Sequence, residues 1–103
     1  METIDVTLVR VYLREEKAHL SRLLARLNDE HKVCGVTVFR GIAGFGSSGE
    51  LHSSTLLDVS FDLPVVIEFF DRPAKVAAVI EELYAVVGPG HIISWPVQLT
   101  TEA

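Results

Sequence analysis

The order of periodic segments predicts an α+β fold, an antiparallel four-stranded sheet with two helices on one face, connected βαββαβ. Three observations carry this reading. Four runs rich in β-branched and aliphatic residues alternate with two segments whose leucines and valines recur at helical spacing. The third run, Val65-Val66-Ile67-Glu68-Phe69-Phe70, is almost continuously apolar, as suits a central strand. The fourth contains Pro96, which lacks a ladder donor and belongs at a sheet edge.

Ile4 to Leu13 reads as the first strand. Its apolar phase switches from Ile4, Val6 and Leu8 to Val9, Val11 and Leu13, so each face receives an aliphatic triplet. Glu15 and Glu16 suit a helix's first turn, and Leu20, Leu23, Leu24 and Leu27 form its buried stripe, with Arg22, Arg26 and Asp29 on the solvated side. The helix gives out near His31-Lys32, and Gly35 precedes the second strand, Val36-Thr37-Val38-Phe39. Arg40 then leads into a stretch where Gly41, Gly44, Gly46 and Gly49 trade side-chain bulk for backbone freedom. From Phe45 to Ser60 no period survives. A structureless connection beyond about 12 residues is usually functional or disordered, and the anchors Phe45, Leu51, His52, Leu56 and Leu57 favour a loop that orders on a ligand or partner.

Pro64 opens the third strand, where a missing donor is tolerated. Asp71 is expected to N-cap the second helix, with Pro73 in its first turn and Val76, Val79, Ile80, Leu83 and Val87 along its inner stripe. Gly88-Pro89-Gly90 ends that helix, and His91 to Leu99 supplies the edge strand. The sum is the split βαβ pattern of the ferredoxin-like sandwich, in which right-handed crossovers put the first and third strands in the centre.

With 103 residues, the chain is expected to be one domain spanning 1–103. A net charge of −5, nine Lys and Arg in total and no basic cluster weigh against nucleic acid as a partner. No apolar run approaches the roughly 20 residues of a membrane span, and no signal pattern opens the chain, so a cytoplasmic protein is expected. The lone Cys34 is expected to be an ordinary buried residue in a reducing compartment. Hydrophobic residues make up 49% and mean hydropathy is +0.33, more apolar matter than a domain of this size hides easily. Two helices shelter only one sheet face. Leaving four or five apolar side chains wet on the other would forfeit on the order of 6–15 kcal/mol, comparable to the whole stability of a small domain. Self-association through the open face, as a closed ring, is therefore expected.

Gly44-Phe45-Gly46-Ser47-Ser48-Gly49 fits G-x-G-x-x-G, with Glu68 near the distance of a ribose-binding acid. Ser53, Ser54 and Thr55 stand where an amphipathic helix should follow, and the chain is too short for a doubly wound sheet. The looser alternatives are an anion nest of glycine N–H groups entered by Arg40, and a β-bulge or tight turn. Among the histidines, His19 and His31 read as surface residues of the first helix. His52 and His91 are the pair whose convergence, with Asp58 or Glu50, would ligate a metal. Asp58, Asp62, Glu68 and Asp71 accompany no nucleophile with an oriented base, so no enzyme is expected. Trp95 and Tyr84 read as packing residues.

The segments Arg40-Gly41-Ile42-Ala43-Gly44-Phe45-Gly46, Leu51-His52, Leu56-Leu57 and Ser60-Phe61-Asp62-Leu63-Pro64-Val65-Val66-Ile67-Glu68 resemble the signature of an uncharacterised family, domain-of-unknown-function family 190 (UPF 0166), over essentially the whole chain. That family resembles the nitrogen-regulatory PII proteins, ferredoxin-like homotrimers. The resemblance implies a PII-like trimeric signalling protein in which segment 45–60 corresponds to the T-loop and docks on a transporter or enzyme. A small effector, an adenine nucleotide in PII proteins, would bind between subunits. The residues implicated are Arg40, Gly41, Gly44, Phe45, Gly46, His52, Gly88, Gly90 and His91. Two departures stand out: the loop has no modifiable tyrosine, and the turn Gly88-Pro89-Gly90-His91 has no lysine for a phosphate. The alternative is a trimeric metal-binding protein like CutA, which shares the architecture.

Overall fold

The computed structural model describes residues 1–14, 20–45, 52–53 and 63–102. In chain order the elements are β1 (Glu2–Arg14), α1 (Leu20–Ala25, followed by a π-helical turn Arg26–Glu30), β2 (Val36–Arg40), β3 (Ala43–Gly44), β4 (His52–Ser53), β5 (Pro64–Asp71), α2 (Pro73–Val87) and β6 (Ile92–Thr101). Glu15, Glu16 and His19 lie outside the described residues, as do Gly46, Gly49, Glu50, Leu51, Leu56, Leu57, Asp58 and Asp62.

The main sheet has the order β2-β5-β1-β6. Every adjacent pair is antiparallel. The apolar β5 and the long β1 are central, and the proline-bearing β6 is an edge, as the sequence predicts.

Register assigns the faces. Val9, Val11 and Leu13 of β1 share a face with Val65, Ile67 and Phe69 of β5 and with Val36 and Val38 of β2. The two helices cover this side. Leu23 and Leu27 from the first helical segment and Val76, Val79 and Leu83 from α2 join Val9, Val11, Ile67 and Phe69 in one buried cluster. Leu20, Leu24, Ile80 and Val87 pack at its margin, completing both predicted stripes.

The opposite face is also apolar. It carries Phe39, Val66, Phe70, Ile4, Leu8, Tyr12, Ile93, Trp95, Val97 and Leu99. Of these, Ile4, Tyr12, Phe39 and Ile93 are between 39% and 47% exposed, which is the apolar surplus expected from the sequence.

Three expectations are corrected. Asp71 does not cap α2: the N-cap position is Arg72, and Asp71 ends β5 as a buried carboxylate. Its Oδ1 accepts from Arg72 N at 2.7 Å and its Oδ2 from Cys34 N at 3.1 Å, with Lys75 Nζ 3.0 Å away. It thus ties β5 to the start of α2 and to the connection between the first helix and β2. Cys34 itself is exposed, because that connection crosses the surface to reach an edge strand. Tyr84 is 55% exposed on α2, lying outside the stripe that faces the sheet.

Candidate ligand site at one end of the sheet

The antiparallel register brings four strand termini to one end of the sheet. Arg40 at the end of β2 faces Val65, Val65 faces Leu13, and Arg14 at the end of β1 faces Pro64. Beside Tyr12, the level of His91 completes the row. Tyr12 N donates to His91 O at 2.8 Å, and His91 Nδ1 meets Tyr12 O at the same distance. Since a carbonyl only accepts, Nδ1 carries a proton, and in the neutral ring the lone pair is then on Nε2.

The segment Arg40 to Phe45 and the turn Gly88 to His91 therefore share an end of the sheet but attach to its opposite edges, β2 and β6. Three strand spacings, about 14 Å, separate the edges.

The glycines divide into two kinds. Gly41 N donates to Pro64 O at 2.7 Å, and a Cβ there would lie 2.8 Å from Pro64 Cγ. At Gly44 the same ring would lie 3.2 Å from the added atom. Both serve close approach to Pro64, and neither has positive φ. Gly88 and Gly90 do, at 77° and 84°, and a Cβ at either would meet open space. There the requirement is conformational: Gly88 N donates to Tyr84 O at 2.9 Å and reverses the chain out of α2.

A two-stranded ribbon forms at the base of the long connection, with Ala43 opposite Ser53 and Gly44 opposite His52. It places the backbone of His52 beside Gly44. Ile42 and Phe45 flank β3 with 76% and 73% of their surface exposed. Gly46 lies outside the described residues. Of the implicated set, then, Arg40, Gly41, Gly44, Phe45 and His52 gather near Pro64, and Gly88, Gly90 and His91 gather near Tyr12.

Arg14 was not singled out from the sequence, where it reads only as the end of a strand. Its register opposite Pro64 puts a second arginine at the Gly41 end of the sheet. By register the two arginines stand on opposite faces of that end, on strands whose ends are 26 residues apart in the chain, and local spacing gives no sign that they share it.

An antiparallel four-stranded sheet in this order, with two helices over one face, defines an α+β protein of the PII-like and CutA-like architecture. CPII of Thiomonas intermedia K12, a nitrogen regulatory PII-like protein bound to ADP, AMP and bicarbonate, superimposes with a TM-score of 0.71 at 19% identity, over 95% of this chain and 91% of that one. CutA1 of Oryza sativa gives 0.62 at 16% identity, over 98% and 85%. A UPF0166 protein of Aquifex aeolicus is 32% identical over 88 residues, 81% of this chain and 83% of its own. The chain belongs to the DUF190 family, described as an uncharacterized ACR, whose model matches residues 6–99.

Proposed function

We propose that this protein is a PII-like regulatory module: a cytoplasmic homotrimer, without catalytic activity, that binds an adenine nucleotide between subunits and docks on a target protein through segment 45–60. The observation that carries this reading is the placement of the two glycine-bearing segments at one end of the sheet on opposite edges. One chain holds them about 14 Å apart. In a ring of subunits the β2 edge of one copy would approach the β6 edge of the next, and each cleft would receive Arg40 to Phe45 from one side and Gly88 to His91 from the other.

Two further facts support it. The open sheet face is apolar and has the composition of a surface that self-association would cover. The CPII protein of the same fold is bound to ADP and AMP. In this reading Arg14 and Arg40 supply the cationic contacts for phosphate that the lysine-free turn lacks. Ligand binding favours the docking-competent population of the protein.

The test is calorimetric titration and thermal-shift screening with ADP, AMP and ATP, alongside light scattering for mass. A trimer stabilised by at least one nucleotide, with binding weakened in Arg40→Ala, is the expected result. A folded monomer at micromolar concentration, or nucleotide binding indifferent to Arg40→Ala and Arg14→Ala together, would overturn it. The second reading is a CutA-like metal-binding trimer. It is favoured by the His91 tautomer, whose Nε2 lone pair suits a metal. Loss of metal on His52→Ala is its signature.

A further inference from the structure

The apolar stripe of the first helix, Leu20, Leu23, Leu24 and Leu27, does not continue as apolar residues. Its next step, three and four residues beyond Leu27, carries Glu30 and His31. Here the helix widens into a π-turn over Arg26–Glu30, and His31 N donates to Arg26 O at 3.0 Å. Such turns are rare and concentrate at functional positions. The connection that follows is fastened to α2, with Lys75 Nζ donating to Lys32 O at 2.9 Å.

This arrangement directs the His31 imidazole, whose side chain is only 21% exposed, at Glu82 of α2, and its Nε2 contacts Glu82 Oε2 directly. Glu30 completes the group. One ligand atom from each of Glu30, His31 and Glu82 lies within 4.8 Å of the other two.

We propose that Glu30, His31 and Glu82 form a binding site for a divalent transition-metal cation of the zinc class. The donor set, one imidazole and two carboxylates, suits such ions, and three protein ligands leave a fourth position for water or a ligand from outside. Two carboxylates balance the charge of the ion. Arg26 Nε holds one oxygen of Glu30 at 3.4 Å, a long and exposed contact, and a carboxylate offers a second oxygen to the metal. In the bound state the neutral His31 imidazole gives its Nε2 lone pair to the ion and keeps its one ring proton on Nδ1. Because Glu30 and His31 follow the first helix while Glu82 belongs to α2, the ion would staple the two outer helical segments together. The site is distinct from the sheet end proposed to hold nucleotide and does not depend on that reading.

The test uses the full chain, stripped with chelator and dialysed, titrated with Zn²⁺ by calorimetry and with Co²⁺ by visible absorption. The expected result is one ion per chain and a raised melting temperature. Loss of even an outer-shell partner typically costs about 10- to 100-fold in metal affinity, so His31→Ala and Glu82→Gln are each expected to weaken Zn²⁺ by at least about tenfold, with unchanged circular dichroism. His19→Ala is expected to bind as the wild type. No Zn²⁺ binding at millimolar concentration would overturn the proposal. So would binding that survives His31→Ala and Glu82→Gln, or that is lost instead in His52→Ala or His91→Ala.

Discussion

Arg10 Nε donates to Glu68 Oε1 at 2.8 Å across the two central strands, in the middle of the sheet face that the helices leave open. The Arg10 guanidinium also lies 5.7 Å from the centre of the Trp95 ring on β6. Glu68, and then Tyr12, hold the guanidinium more firmly protonated than usual. Around this pair the face is apolar, with Val66, Phe70, Leu8 and Ile93 as its neighbours in register. A single ion pair set in an apolar contact surface is costly to cover unless both charges are present together.

In the proposed assembly, removing one member of the pair is therefore expected to be more disruptive than removing both. Arg10→Met and Glu68→Leu should each shift the protein towards smaller species in size-exclusion chromatography with light scattering, and the double variant should recover the larger one. Arg10→Met should also change Trp95 fluorescence, since the cation leaves the ring. Single variants that assemble like the wild type would separate the pair from the interface.

Asp71 makes stability sensitive to acid. Burial pushes its carboxyl upwards, but the Arg72 N–H and the Lys75 ammonium together outweigh this and hold it below the usual carboxylate range. A depressed folded-state value means that the stabilisation is present above the unfolded value, near 3.9, and is lost as pH falls through the folded one. Asp71→Asn is expected to cost about 1–3 kcal/mol at neutral pH, the price of weakening a buried charge-assisted network. In urea titrations between pH 5 and the acid limit, the wild type should lose stability as pH falls below about 4, and the variant should show a flatter dependence.

Gly41 and Gly88 are needed for different reasons, and substitution should reveal this. Gly41→Ala drives a methyl to 2.8 Å from Pro64 Cγ, beside the 2.7 Å bond from Gly41 N to Pro64 O. Overpacking of this kind costs about 1–3 kcal/mol and should loosen the start of β5, read by hydrogen exchange at Val65 and Val66. Gly88→Ala meets no atom but must adopt φ 77° with ψ −174°. It should also cost about 1–3 kcal/mol, through backbone strain. Its exchange signature belongs at the last turn of α2. Pro64→Ala should partly rescue Gly41→Ala and leave Gly88→Ala unchanged.

The strand order was legible because it rests on single-residue signals: the apolar run in β5 and Pro96 in β6 each point to one sheet position. The helix stripes were legible for the same reason that they pack, a fixed spacing of large aliphatic residues. What escaped depended on contacts distant in sequence. Nothing near Gly41 or Gly44 announces Pro64, more than 19 residues away, so their glycines read as freedom when they serve close packing. The β3–β4 ribbon is two residues per strand, too short to show a period. The π-turn kept Glu30 and His31 beside α2 where the sequence suggested a fraying surface end, and Asp71 resembled a cap because it precedes a proline-led helix by two residues.

Cys34 joins exposure to a neighbouring carboxylate, and the combination governs its reactivity. Partial desolvation, followed by the negative charge of Asp71, pushes the thiol above its ordinary value despite the opposing charges of Lys75 and Arg72. The thiolate is the reactive form, so at pH 7.5 the residue should be accessible to a small alkylating reagent yet react more slowly than a free cysteine. Asp71→Asn removes the nearby charge and should speed alkylation, shifting the pH–rate midpoint downwards. Lys75→Ala removes an opposing cation and should slow it. If Cys34 alkylates at the free-cysteine rate, with a midpoint that neither variant moves, the Asp71 carboxylate does not govern the thiol.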